Sequence, residues 1–388
     1  MNDMDKGVPE LLREKKDCCG CAACYAVCPV EAITMKVDDE GFQFPVIDRD
    51  KCIHCHQCVT ACVYKKDKKE RASAKEPLVY AIKNKSSQVL SRCSSGGAFS
   101  AFSDLFLDEG YALLATGYNY NTNRAEMRMI HTKEERDACI GSIYMQSVPL
   151  DTWKDAIHWL KDREDRKLAF FGMGCQGAAF SNFAGMKGVR DRVVIVDIIC
   201  HGVPSPMIWG EYLKLVSDGK KVSDINMRDK KTGWNNTCAT AKFDGREVSI
   251  MGWRRLYSSK TLLRDSCTTC PYTTIYRSSD ITIGDFWHIE ERMPDFYDEK
   301  GVSLILIHTD TGIHVFDQIK DKVEWRESNT KDCMQLNLRT PTQHSVNRRI
   351  FWKDYRKYGI AYVLKNYGSN RFLAKVKRKT KLLLNKSN

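Results

Sequence analysis

No run of about 18 consecutive apolar residues occurs in the 388-residue chain, so the sequence offers no membrane-spanning helix. The opening residues, MNDMDKGVPELLREKK, lack the apolar core of a signal peptide, and we expect no export. Charge of one sign is also scarce over most of the chain. Of the formal net charge of +12, the segment from Lys353 to Asn388 holds eleven Lys/Arg against a single acid, Asp354, which leaves the 352 preceding residues nearly neutral. No DNA-binding motif is present, and we expect no nucleic-acid partner. At 43% hydrophobic and 28% charged residues, the composition is that of a globular protein with room for two or three domains.

Cysteine, by contrast, is abundant: there are 17. In a chain of this size without an export signal, metal or cluster ligation explains them better than disulfides. Residues 18–28 read CCGCAACYAVC and are followed by Pro29, which gives C-x2-C-x2-C-x3-C-P at Cys18, Cys21, Cys24 and Cys28. Residues 52–62 repeat the spacing at Cys52, Cys55, Cys58 and Cys62, without the trailing proline. This is the run that wraps [4Fe–4S] clusters in bacterial two-cluster ferredoxins, where the fourth cysteine of each run serves the other cluster. Cys18, Cys21, Cys24 and Cys62 are therefore expected at one cluster, and Cys52, Cys55, Cys58 and Cys28 at the second. Structural zinc would favour two C-x2-C pairs separated by a longer loop. Cys19 lies one residue off register and reads as a spare thiol. Between the runs, two β-like segments about Gly41 suit the hairpin of such a module.

The charged segment 65–77 reads as a linker. Beyond it, short apolar runs alternate with helical patterns, as in a mixed α/β domain. CSSGG at 93–97 opens an amphipathic helix, where free backbone N–H groups suit an anion, although a plain Ser/Gly cap would look the same. Cys175 and Cys200 each follow an apolar strand, the place where α/β sheets form ligand sites, and Cys267 and Cys270 form C-x2-C. Buried packing and four thiolates for a further cluster both remain open on spacing alone.

The segments SSGGAFSAF (95–103), GSIYMQS (141–147), CQGAA (175–179), DIICHGVPSPMIW (197–209), RDKKTGW (228–234), CTTC (267–270) and SDITIGDFW (279–287) together resemble the coenzyme F-420 hydrogenase/dehydrogenase beta-subunit family, in the form that carries an N-terminal two-cluster ferredoxin domain. The resemblance implies FAD and a third [4Fe–4S] cluster held by Cys175, Cys200, Cys267 and Cys270. It implies flavin contacts from Ser94, Ser95, Gly96 and Gly97, and from Gly141, Ser142, Tyr144, Gln146 and Ser147. Three positions depart from the family pattern. Ile143 stands where a lysine is common, Gly174 where a proline is common, and His288 where glycine is frequent. The missing lysine weakens the case for the anionic deazaflavin as substrate.

The expected fold class is α+β/α/β: a bacterial-type 2[4Fe–4S] ferredoxin module over 1–64, a linker over 65–77, a mixed α/β flavin and iron–sulfur domain over 78–350, and a basic helical tail over 351–388. The expected function is an oxidoreductase that relays electrons between a ferredoxin-type one-electron donor, the clusters, FAD and a small-molecule substrate. The flavin would convert one-electron into two-electron chemistry. The alternative is a non-catalytic electron-transfer subunit of a larger redox complex. His201 and Tyr144 are the candidate proton-handling groups, and Asp285 and Trp287 lie either near the flavin or in plain sheet packing. We expect a cytoplasmic protein whose basic tail either rests on an anionic membrane or acidic partner, or forms a solvated helix.

Overall fold

The computed structural model describes residues 7–66 and 75–369. Most of the linker and the tail beyond 369, with its expected membrane contact, lie outside the described residues. No helix among the described residues is long and apolar enough to cross a membrane.

The N-terminal module is built by repetition. Strands β1 (Ile33–Val37) and β2 (Gln43–Ile47) form an antiparallel hairpin with Ile33 opposite Ile47, as the Gly41 turn requires. Each cysteine run makes a loop followed by a short helix, Ala23–Val27 or Gln57–Ala61. Gly20 and His54 occupy equivalent loop positions with φ of +69° and +57°, and so do Ala22 and His56 with +62° and +55°. Left-handed residues at matching sites turn backbone N–H groups inward, toward the sulfurs. The Gly20 and Ala32 N–H groups donate to Cys18 Sγ and Cys28 Sγ, each at 3.3 Å.

The body is centred on an eight-stranded sheet of order β13-β3-β12-β11-β7-β6-β4-β5. Its strands are β3 (Leu78–Asn84), β4 (Ala112–Asn119), β5 (Arg124–Ile130), β6 (Leu168–Met173), β7 (Val193–Ile198), β11 (Ile281–Asp285), β12 (Ser303–Ile307) and β13 (Val323–Ser328). The four central strands, β11, β7, β6 and β4, run parallel, and the outer pairings are antiparallel. The sheet is thus mixed, as the alternating pattern implies. Parallel strands buried on both faces read as continuous apolar runs, and β6 and β7 show why. Leu168, Phe170, Val193 and Ile195 pack with the helices Asp151–Asp162 and Gly174–Met186. Ala169, Phe171, Val194 and Val196 pack on the other face with the helices Ala98–Asp108 and Asp310–Asp317. The ferredoxin module joins the first of these cores through Ala23, Val27, Ile33 and Ala61.

A small antiparallel sheet of β8 (Val222–Asp229), β9 (Cys238–Phe243) and β10 (Arg246–Ser249) packs with the helices Pro206–Ser217, Met251–Ser258 and Arg348–Tyr367. The last of these corrects the expected tail. Residues 351–367 belong to the body, because Phe351, Trp352, Val363 and Tyr367 are buried in its core.

Candidate functional site

Four parallel strands end on the same side of the sheet, and four of the body's eight cysteines gather there. Cys175 opens the helix after β6, Cys200 follows β7, and Cys267 and Cys270 come from the loop before β11. They meet in the fold: burial pushes the Cys267 thiol up to about 12, and the adjoining Cys200 and Cys270 thiols push in the same direction. Burial likewise raises Cys200 to about 11, with Cys270 beside it, while the Gly202 N–H, 3.3 Å from Cys200 Sγ, opposes the shift. The Val203 N–H donates to Cys267 Sγ at 3.5 Å. Beneath the set, the buried Arg277 Nη1 donates to Asp197 Oδ1 at 3.1 Å and to the Ile198 carbonyl at 3.1 Å, which fixes the end of β7.

The N-terminal cysteines gather in the crossed arrangement. Burial pushes Cys62 up to about 11, with Cys21 and Cys18 contributing from the other run. Cys58 is raised to about 11 by burial, with Cys55 and Cys28 contributing. Among the described residues, no three His, Cys, Asp or Glu side chains close on the position of a single metal ion. Buried thiols side by side carry a proton and desolvation cost that a cationic iron–sulfur core would relieve, so the residues present fit such a group.

Cys19, read as a spare thiol, lies between two of these sets. Its thiol lies beside Cys175 on one side and Cys21 on the other, and Cys175 and burial push its pKa up. Its carbonyl accepts from Gln146 Nε2 at 2.9 Å.

A cavity of about 480 Å³ opens beside the body's cysteines. Ser94, Ser95, Gly97, Gly141, Ser142, Tyr144, Ser147, Cys200, His201, Asp285 and Trp287 all line it, so the structure unites two loops that the sequence separates by over forty residues. Ser142 Oγ donates to Ser94 Oγ at 2.9 Å and ties the loops together. Tyr144 stacks on Tyr257 with centroids 5.0 Å apart, and the Tyr257 hydroxyl donates to the Gly202 carbonyl at 3.2 Å. Burial lowers the pKa of His201. Asp285 is engaged: Arg228 pairs with it, and Trp234 Nε1 donates to it at 2.8 Å. Trp287 stacks on Trp234 at 5.2 Å.

Two expected contacts do not line the cavity. A Cβ on Gly96 would lie 2.4 Å from the Ile82 carbonyl oxygen, so this glycine serves strand packing. Gln146 points instead to the seam with the ferredoxin module. Arg228, Arg254 and Tyr257 line the cavity and were missed; only the RDKKTGW segment carried a signal, for Arg228.

Residues 165–332 match the family model for the C terminus of the coenzyme F420 hydrogenase/dehydrogenase beta subunit, and residues 17–66 match the 4Fe-4S dicluster domain. The body is related to the coenzyme F420 hydrogenase/dehydrogenase beta subunit over that span. Over 332 residues the chain is 24% identical to the F subunit of the F(420)H(2) dehydrogenase from Methanosarcina mazei, covering 80% of this chain and 84% of that one. Over 65 residues it is 35% identical to the indoleacetate decarboxylase activating enzyme of Tractidigestivibacter scatoligenes, covering 16% of this chain and 21% of that enzyme. Among solved structures, a chain of the F420-reducing [NiFe] hydrogenase complex from Methanosarcina barkeri aligns with a TM-score of 0.45 at 16% identity, over 76% of this chain and 93% of that one. The protein is thus an iron–sulfur electron-transfer protein with a ferredoxin module and a beta-subunit body.

The family departures now have local causes. His288 has φ of +66° as the cap of the helix Ile289–Arg292, the left-handed conformation that favours glycine. Gly174 is the first residue of its helix, where proline fits the backbone. Here, however, a Cβ would come within 3.1 Å of Asp197 Oδ2 and of Tyr272 Cβ. Ile143 lines the cavity wall and leaves it apolar at that point.

Proposed function

We propose that the chain is an iron–sulfur flavoprotein oxidoreductase that carries electrons between a ferredoxin-type one-electron donor and a small-molecule substrate, in either direction. In this reading Cys18, Cys21, Cys24 and Cys62 hold one [4Fe–4S] cluster, Cys52, Cys55, Cys58 and Cys28 a second, and Cys175, Cys200, Cys267 and Cys270 a third. FAD occupies the 480 Å³ cavity, whose size is that of a cofactor site. The observation that carries the reading is spatial order. The Cys55 side of the module is exposed, Cys19 joins Cys21 to Cys175, and Cys200 lines the cavity. The three cysteine sets therefore line up from the surface to the cavity.

The flavin, when bound, converts between one-electron and two-electron chemistry. The chain's own residues bind and orient it: Ser94 and Ser142 offer hydroxyls, Tyr144 with Tyr257 offers an aromatic wall, and the helix Ala98–Asp108 presents its N-terminus. In this reading His201 Nδ1 or Nε2 and the Tyr144 hydroxyl, both on the cavity wall, would handle a proton there. The Cys175→Ala variant should lose about four irons while the N-terminal module keeps about eight, and electron transfer from donor to acceptor should stop. Normal transfer in that variant would refute the assignment.

The non-catalytic reading keeps its place because the Methanosarcina mazei relative is named as one subunit of a dehydrogenase. Under that reading a partner enzyme would supply the acceptor site. Stoichiometric FAD with substrate-dependent reoxidation would decide against it.

A further inference from the structure

Arg264 is fully buried, at 0% exposure, and lies three residues before Cys267. Its backbone belongs to the body: the Arg264 N–H donates to the Val203 carbonyl at 2.9 Å, and the Cys267 N–H donates to the Arg264 carbonyl at 3.1 Å. Its guanidinium belongs to the ferredoxin module. Nε donates to the Cys18 carbonyl at 2.8 Å and Nη2 to the Gln43 carbonyl at 2.8 Å. Nη2 also stands 3.7 Å from Cys18 Sγ, and Nη1 donates to Gln146 Oε1 at 3.2 Å. The rings of Phe44 and Phe42 lie 4.2 Å and 5.4 Å from the cation. Gly20 makes room for it, because a Cβ there would lie 2.9 Å from Nη1.

None of these hydrogen-bond partners is a carboxylate. A buried cation without a counter-charge is costly. The sulfurs beside it would supply the counter-charge once they ligate iron, since four thiolates on a [4Fe–4S] core carry about −2. Among the described residues no lysine or arginine hydrogen-bonds a sulfur of the Cys52, Cys55, Cys58 and Cys28 set, although the Ala32 N–H does. The asymmetry between the two N-terminal sets is therefore one of charge.

We infer that Arg264 is a positioning residue that raises the reduction potential of the cluster at Cys18, Cys21, Cys24 and Cys62 above that of the cluster at Cys52, Cys55, Cys58 and Cys28. The inference rests on the cluster reading above. One electron from a low-potential reductant takes the thiolate-bound cluster from −2 to −3; no bond forms or breaks and no proton moves. A fixed guanidinium stabilises the added charge, so the reduced form gains. The ordering would draw electrons from the exposed module face toward the body.

The test is an EPR-monitored redox titration of the reconstituted full chain. In Arg264→Met, one of the N-terminal cluster midpoints should move negative by at least a tenfold change in the reduced-to-oxidised ratio, about 59 mV for one electron, while the other stays in place. Arg264→Lys, which keeps the charge, should stay much closer to wild type. Gln146→Glu, which neutralises the cation in place, should shift the same cluster negative and carries the test where Arg264→Met fails to assemble. Unchanged midpoints in Arg264→Met or Gln146→Glu overturn the inference, and so does an equal shift in Arg264→Lys. Absence of N-terminal cluster signals in the wild type would instead refute the cluster reading itself.

Discussion

The two halves of the protein gather their cysteines by different means. In the ferredoxin module, nine cysteines sit within two eleven-residue runs, eight of them at the repeated spacing, and local backbone does the work: paired left-handed residues at Gly20 and His54, then Ala22 and His56, curl each loop. In the body, Cys175, Cys200, Cys267 and Cys270 spread over 96 positions, and only the parallel sheet brings them together. A site made by a loop survives changes elsewhere in the chain. A site made by a sheet depends on the core beneath it.

The sharpest way to separate the two is to weaken that core. Ile195 is fully buried in β7, and Ile195→Ala should cost about 2–5 kcal/mol. Thermal unfolding should show the loss, and partial heating should release the body's irons before those of the module. Simultaneous release would break the distinction.

Gly20→Ala attacks the seam. The new Cβ would lie 2.7 Å from Gln146 Nε2 at a φ of +69°, and the combined strain should cost about 1–3 kcal/mol. Limited proteolysis should then cut between module and body more readily, while the spectra of the module's clusters persist.

Acid should act on the body. Burial beside Arg277 lowers the pKa of His308 to about 3, and its Nε2 pairs with Thr282 Oγ1 at 2.9 Å. The unfolded chain takes up a proton below about 6.5, whereas the folded chain does not until about 3. Stability from this group is thus complete above about pH 6.5 and falls with acidification by up to about 1.4 kcal/mol per unit. His308→Gln should flatten that slope in a pH series of unfolding midpoints; an unchanged slope would remove the assignment.

The smallest effect belongs to His288→Gly, which relieves a left-handed residue and should raise stability by about 0.5–1 kcal/mol. A lower melting temperature would mean that the imidazole makes a contact worth more than the strain.

The same division explains what could be read in the sequence. The C-x2-C-x2-C runs state their spacing in consecutive residues, so the dicluster module and the hairpin about Gly41 were legible. The strands at 168–173 and 193–198 were legible because burial on both faces makes them uniformly apolar. The approach of Ser94 to Ser142 was not, since nothing local records a pairing between separate loops. The place of Cys19 was not legible, because register alone cannot show that a thiol one step out of line falls between Cys21 and Cys175. Arg264 carried no signal either: its partners are backbone carbonyls of a distant module, and any residue supplies a carbonyl.

Our central proposal is three clusters and a flavin in one chain. Anaerobic reconstitution of the full-length protein with iron, sulfide and FAD, followed by quantitation on the desalted product, tests it most directly. It predicts about twelve irons and one FAD per chain. About eight irons with no flavin would contradict it, leaving a ferredoxin module attached to a body whose buried cysteines and cavity serve some other purpose.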